Sequence, residues 1–354
     1  MPFRLVILSF VLAVSTASAC TIPVFRFALD RWEADPFHLV LPPSTSQDPA
    51  VSDLLRPLRA NGKANLTITS APAATISELK YSRESDHLVW SGDLNAQTLP
   101  ALLDSPARQQ ILQHILAGDS VVWVIAEGGT DADAAEADRI EKRLRFLEQV
   151  AALPVQNPND PDSQLGPGPP LLLKFTTLRL NRNDPAELPL IQMLAGPNQK
   201  VDPKTTSFAA AVFGRGRVLG AWPLTDLDDA SLEDACMFLV GRCSCRVKNE
   251  NPGWDLLMNV DWEKSLTEVK ATLASAPTVD IAEPEVQPPA PSMVPITVTT
   301  QPPPGAPSTS AGDPNIWIGS SQDDTYFIGL NRPLLTGIGA FVLTLLAFLL
   351  LRKK

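Results

Sequence analysis

The chain has 354 residues with 29 Lys+Arg against 39 Asp+Glu, a formal net charge of −10. That sign excludes nucleic-acid affinity built on phosphate neutralisation, and docking on anionic lipid through a basic patch. The three histidines, His38, His87 and His114, lie far apart in sequence and leave little for a histidine-based site, while the 34 prolines concentrate locally and mark linkers.

Residues 1–19 carry the marks of a signal peptide: Arg4 in the n-region, a short apolar core over 5–14, and Ala17-Ser18-Ala19 as a small-residue cleavage site. Cleavage there leaves Cys20 first. Two readings stay open for it, an acylated lipoprotein cysteine or an ordinary thiol; Ala17 stands three residues before it, where lipoprotein signals usually carry Leu. The aromatic-rich opening that follows, with Phe25, Phe27 and Trp32 among Arg26, Asp30, Arg31 and Glu33, reads as an ordered segment packed on a domain.

A strand is expected over 37–41 and a short helix over 49–58, with Asp48 as cap and Pro49 at its first position, ended by Gly62. Residues 64–70 alternate like a strand and contain Asn65-Leu66-Thr67, a glycosylation sequon in form, read as chance. Residues 71–98 give one short strand at 88–90, and Ser105-Pro106 opens a helix over 107–116, stopped by Gly118. The run SVVWVIA at 120–126 is continuous and β-branched, as in a strand buried on both faces. An amphipathic helix follows over 131–153, with Ala137, Ile140, Leu144, Leu147 and Ala151 as its apolar stripe. After a Pro- and Gly-rich loop, a strand is expected over 171–180 and a helix over 185–194, weakened by the internal Pro189. Strands at 208–213 and 218–222 pair across Gly214-Arg215-Gly216-Arg217, a helix covers 228–241, and a weaker one covers 263–273.

Residues 276–315 form a Pro-rich, disordered linker; 276–314 hold eleven prolines and no Lys or Arg. A juxtamembrane piece, 316–333, precedes an uncharged apolar stretch, 334–351, about 27 Å long as a helix and matched to the bilayer core. Arg352-Lys353-Lys354 then places a short tail, 352–354, in the cytoplasm. The expected organisation is a signal peptide at 1–19, an N-terminal α/β region at 20–118, an α/β domain at 119–275, and a single-pass anchor. The body lies outside the cytoplasm, where disulfides form.

From residue 120 the order strand, helix, strand, helix, strand, strand, helix predicts a mixed sheet flanked by helices. This pattern, and above all AAAVFGRGRVLGAW before a helix, resembles the thioredoxin fold over about 125 residues. That resemblance implies a CxxC active site at the end of the first of these strands. The matching stretch is Ala126-Glu127-Gly128-Gly129-Thr130-Asp131, without a cysteine, and the family's cis-proline position falls near Ser207. The start of the mature chain also resembles a family of bacterial envelope proteins, which implies location and not activity.

Three of the four cysteines cluster at Cys236, Cys243 and Cys245. Three readings stand beside one another. Cys243 and Cys245 could cycle as a strained CxC pair, with Arg242 and Arg246 favouring thiolate. Three thiolates could bind Cu(I) or Zn. Alternatively, a structural disulfide joins Cys20 to one of the pair, with Cys236 buried in its helix; this clasp is the favoured reading. Gly214, Gly216 and Gly220 precede a strand, so they read as a hairpin turn and not a nucleotide fingerprint. Asn157, Asn159, Asp160 and Asp162 are interrupted by prolines and lack a Glu, so no calcium site is expected, nor any other metal or cofactor. The six tryptophans from Trp32 to Trp262 are read as core. The expected function is a membrane-tethered binding or scaffold module with a protein partner in the envelope. The alternative is a thiol-disulfide oxidoreductase or soft-metal handler.

Overall fold

The computed structural model describes residues 21–81, 87–157, 159–197, 201–243 and 247–275. The expected signal peptide, the linker, the apolar stretch 334–351, Cys20 and Cys245 lie outside the described residues. Among the described residues no helix is long and apolar enough to cross a membrane.

The described residues are α/β, with two mixed sheets flanked by helices, and fall within one compact unit, Met1–Ile281. In chain order the elements begin α1 (Val24–Arg31), β1 (Phe37–Leu41), α2 (Pro43–Gln47), α3 (Pro49–Asn61), β2 (Leu66–Ser70), β3 (Ser77–Tyr81), β4 (Leu88–Gly92), α4 (Thr98–Leu103) and α5 (Pro106–Ala117). There follow β5 (Val121–Glu127), α6 (Asp131–Val150), β6 (Phe175–Asn181), α7 (Leu188–Ala195), β7 (Phe208–Phe213), β8 (Arg217–Pro223), α8 (Asp229–Val240), β9 (Trp254–Asp255) and α9 (Trp262–Ser275). The first sheet has the order β2-β1-β3-β4, with β1 parallel to β2 and antiparallel to β3, so β4 is an edge. The second has the order β6-β5-β7-β8-β9, with β5 parallel to β6 and antiparallel to β7.

The continuous apolar run of β5 makes the second sheet the partition between two cores. Val122, Val124 and Ala126 face a core shared with the first sheet, α5 and α7, whereas Val121, Trp123 and Ile125 face one formed with α1, α6 and α8. Period-two alternation in a strand buried on both faces has this consequence, because successive side chains leave opposite sides of the sheet. The aromatic opening joins the second core: α1 packs on α8 and β7, and Val24 N–H donates to Gly241 O at 3.0 Å.

Local signals explain most boundaries. Thr130 accepts from Asp133 N–H and Asp133 reaches back, a capping box that starts α6. Gly62 and Gly118 end α3 and α5 in the left-handed region, at φ 57° and 99°. Helix α7 begins at Leu188, so Pro189 falls in its first turn, where the missing N–H costs nothing. β3 went unassigned in sequence: its polar Ser77, Glu78 and Lys80 alternate with Leu79 and Tyr81 over too short a run to stand out.

Long-range polar ties fix the sheets to each other. The Asn65 amide donates to Asp35 O (2.8 Å) and Leu256 O (3.0 Å) and accepts from Met258 N–H (2.8 Å). The sequon asparagine is therefore committed to internal bonds. Buried Arg108 donates to Leu102 O, Ala101 O and Leu257 O, while buried Glu187 accepts from Ser105 Oγ and Ala107 N–H at the start of α5.

Candidate functional site

The two described cysteines, Cys236 and Cys243, are both buried. Cys236 lies on the inner face of α8 with no exposed surface, packed in the second core. Burial pushes its thiol up to about 12, and the Trp123 indole N–H, which faces it, pulls the other way without offsetting it. That approach falls short of a hydrogen bond, since Trp123 Nε1 has no partner at normal geometry. A nucleophilic cysteine needs the opposite setting, with a depressed pKa and access. Cys243 is 3 % exposed and is not joined to Cys236. Its N–H donates to Ile22 O at 3.0 Å, and Pro23 and Arg242 form an isolated antiparallel bridge. The chain's two cysteine-bearing stretches are thus laid side by side. Cys20 and Cys245, candidates for the disulfide, for lipidation (Cys20) and for the reactive pair (Cys245), fall outside the described residues. Among the described residues no group of acidic, His or Cys side chains could hold a metal ion.

A polar cluster at the amino ends of β5 and β6 is a structural stitch. Asp119 Oδ2 accepts from Thr176 Oγ1 at 2.6 Å and lies 2.9 Å from His114 Nδ1, and Lys174 Nζ is 3.5 Å from Oδ1. The Thr176 hydroxyl is committed to the buried Asp119 carboxylate, which ties the start of β6 to the segment before β5.

The carboxyl ends of the same strands are built differently. Gly128 N–H, just past β5, is shared between Ser207 Oγ (2.9 Å) and Asp133 Oδ2 (3.0 Å). Desolvation raises the Asp133 carboxyl, but hydrogen bonds from Ser207, Thr130 and Gly128 outweigh it and hold it below the usual carboxylate range. Arg182, just past β6, donates its backbone N–H to Glu127 O at 2.9 Å. Its guanidinium lies over Gly128, where a Cβ would sit 3.0 Å from Arg182 Nη2. Two of its nitrogens, Nε and Nη1, are buried without a hydrogen-bond partner. An unsatisfied buried donor costs about 1–3 kcal/mol, more when charged, so such a group calls for an explanation.

Beside Arg182 a groove opens between the edge strand β4, helix α7 and the segment 201–204. It comprises two adjoining cavities of about 690 and 240 Å3 that share Val89, Trp90, Gln192, Pro203 and Lys204. His87 lines the larger and Arg182 the smaller. The Nε2 of His87, like the Arg182 nitrogens, is buried with no partner. Leu88 (41 % exposed) and Leu188 (50 % exposed) offer apolar surface at its rim. Five consecutive residues, 87–91, line the larger cavity. A strand seen face-on contributes alternate residues, so it is the backbone edge of β4 that looks into the groove. Of the residues that line it, Arg182 and Asn183 lie just past the carboxyl end of β6, the end of parallel strands at which open α/β sheets bind ligands.

None of these residues was singled out in sequence as a site. His87, Trp90, Arg182, Gln192 and Lys204 are over a hundred positions apart at the extremes, carry no shared motif, and meet only because α7 packs against β4. The one available signal was Arg182 closely following a strand that precedes a helix. Comparison with protein-family models, curated proteins and solved structures gives no match to this chain.

Proposed function

We propose that the chain is a non-catalytic binding module of thioredoxin-like architecture, carried outside the cytoplasm on a C-terminal membrane anchor. The architecture is supported by the second sheet, where the first two strands run parallel and the third pairs antiparallel with the first before a hairpin and helix. In that reading the stretch matching the family's thiol position is Ala126–Asp131, which here carries a shared Gly128 amide and a capping box, and the family's proline position falls near Ser207. The location rests on the signal-like residues 1–19 and the apolar stretch 334–351.

The observation that carries the binding function is the groove near the carboxyl end of β6, lined by Arg182 and His87 with buried nitrogens that have no hydrogen-bond partner among the described residues. The cysteines serve as a clasp. What supports this is the antiparallel bridge of Pro23 with Arg242, which lays the residues just after Cys20 beside those just before Cys243. The test is thiol chemistry on the purified chain. A structural clasp resists mild reductant, Ser replacement of Cys243 and Cys245 lowers stability alone, and exchange of a model disulfide stays at the free-thiol background. Exchange above that background would replace this reading with the oxidoreductase.

A further inference from the structure

Resting on the binding-module reading, we infer that the groove takes an extended peptide segment, apolar with an acidic side chain, added to the open edge of β4 as a further strand of the first sheet. Three observations select this occupant. First, β4 ends its sheet and turns its backbone edge into the groove, and a row of unpaired N–H and C=O groups is matched by another extended backbone. A partner spanning the five residues of β4 is about 17 Å long. Second, exposed Leu88 and Leu188 and half-buried Trp90 supply apolar contacts for alternate side chains. Third, the groove carries Arg182 and Lys204 in a chain whose overall charge is −10.

The carboxylates near Arg182 are already engaged. Asp202 accepts from Lys204 N–H (3.0 Å) and Thr205 Oγ1 (2.9 Å), and Asp133 accepts from Gly128 N–H. Neither forms an ion pair with Arg182; Asp202 lines the larger cavity and feels the guanidinium's charge without bonding it, which leaves the guanidinium's hydrogen bonds for a carboxylate brought by the partner. A second copy of this chain is the poorer occupant, because two molecules of charge −10 repel and their Arg182 and Lys204 would be brought together.

The experiment is fluorescence anisotropy on the purified full-length chain with a labelled panel of β-prone hexapeptides (Val, Ile, Leu and Thr around one central Glu). Each is matched by a Lys-for-Glu version and a version N-methylated at alternate amides. The expected result is binding of Glu peptides, about tenfold weaker binding of their Lys versions, and loss on N-methylation. Arg182→Gln reduces the Glu-over-Lys preference to about twofold, and Lys204→Gln, on an exposed loop, lowers it independently should the first variant misfold. Hydrogen exchange of 87–92 slows with the Glu peptides. Equal affinity for Glu and Lys peptides, tolerance of N-methylation, or no binding by any Glu peptide overturns the inference. Dimers abolished by Ser91→Pro overturn it in favour of self-pairing. A null result with inert thiols removes this inference alone, whereas disulfide exchange above background removes the reading beneath it.

Discussion

The two ends of the second sheet's helical layers invite comparison: the cysteine-bearing end of α8 and the groove beside α7. At the first, Cys236 and Cys243 are chemically conspicuous in sequence but sit in a dry, well-packed core, with Cys236 held protonated by burial. At the second, no residue is conspicuous, yet His87 and Arg182 keep buried nitrogens without partners beside an open strand edge. Reactive residue types identify a site only where the fold leaves them access. An unsatisfied buried polar group points to a site where it also borders a cavity, as the His87 and Arg182 nitrogens do and the Trp123 indole in its closed core does not.

This contrast can be broken most directly in the core. Trp123 is fully buried behind Cys236, and Trp123→Ala is expected to cost about 3–5 kcal/mol in denaturant unfolding. A loss below about 1 kcal/mol would mean that the core at this end is loose and its thiol reachable. Next comes pH. Because the Cys236 thiol titrates at about 12 in the folded chain against 9.0 as its ordinary value, its contribution is complete below pH 9 and is lost as pH rises from 9 through 12. The unfolded chain ionises first and gains. Cys236→Ala should therefore flatten the alkaline fall in stability relative to the parent, and equal slopes would show the thiol to be exposed.

Smaller effects sharpen the groove side. Gly128→Ala places a Cβ 3.0 Å from Arg182 Nη2 and 3.1 Å from Asp133 Oδ2 and should shift the guanidinium, lowering acidic-peptide affinity severalfold, with a loss of stability no larger than that of a helix cap, about 1 kcal/mol. A larger loss of stability, parallel to that of affinity, would assign Arg182 a purely structural role. Smallest of all, Lys204→Gln, on an exposed loop, should alter stability by less than about 0.5 kcal/mol. A larger loss would mean that the segment 201–204 is a strut of the fold and not a groove wall.

Local grammar made much of the architecture legible. The helix starts at Thr130 and Ser105, the stops at Gly62 and Gly118, and the hairpin at Gly214 and Gly216 (φ 57° and 85°) are written in adjacent residues, and each is where the structure has it. The continuous apolar run at 120–126 likewise announced a central strand. By contrast, β3 was missed because short polar strands owe their existence to the partners they find, here β1 and β4.

The amino-acid sequence by itself determined the α/β class, the mixed sheet with its flanking helices, and the placing of most elements, because capping, turn formation and side-chain periodicity act over a few residues. Tertiary structure alone decided that Asn65 is spent on internal bonds and that β4 meets α7 and Arg182 across a groove. Those outcomes depend on which distant surfaces pack together and on which polar groups are left unpaired when they do. Both are settled by burial and long-range register, and neither leaves a trace in any local stretch of the chain.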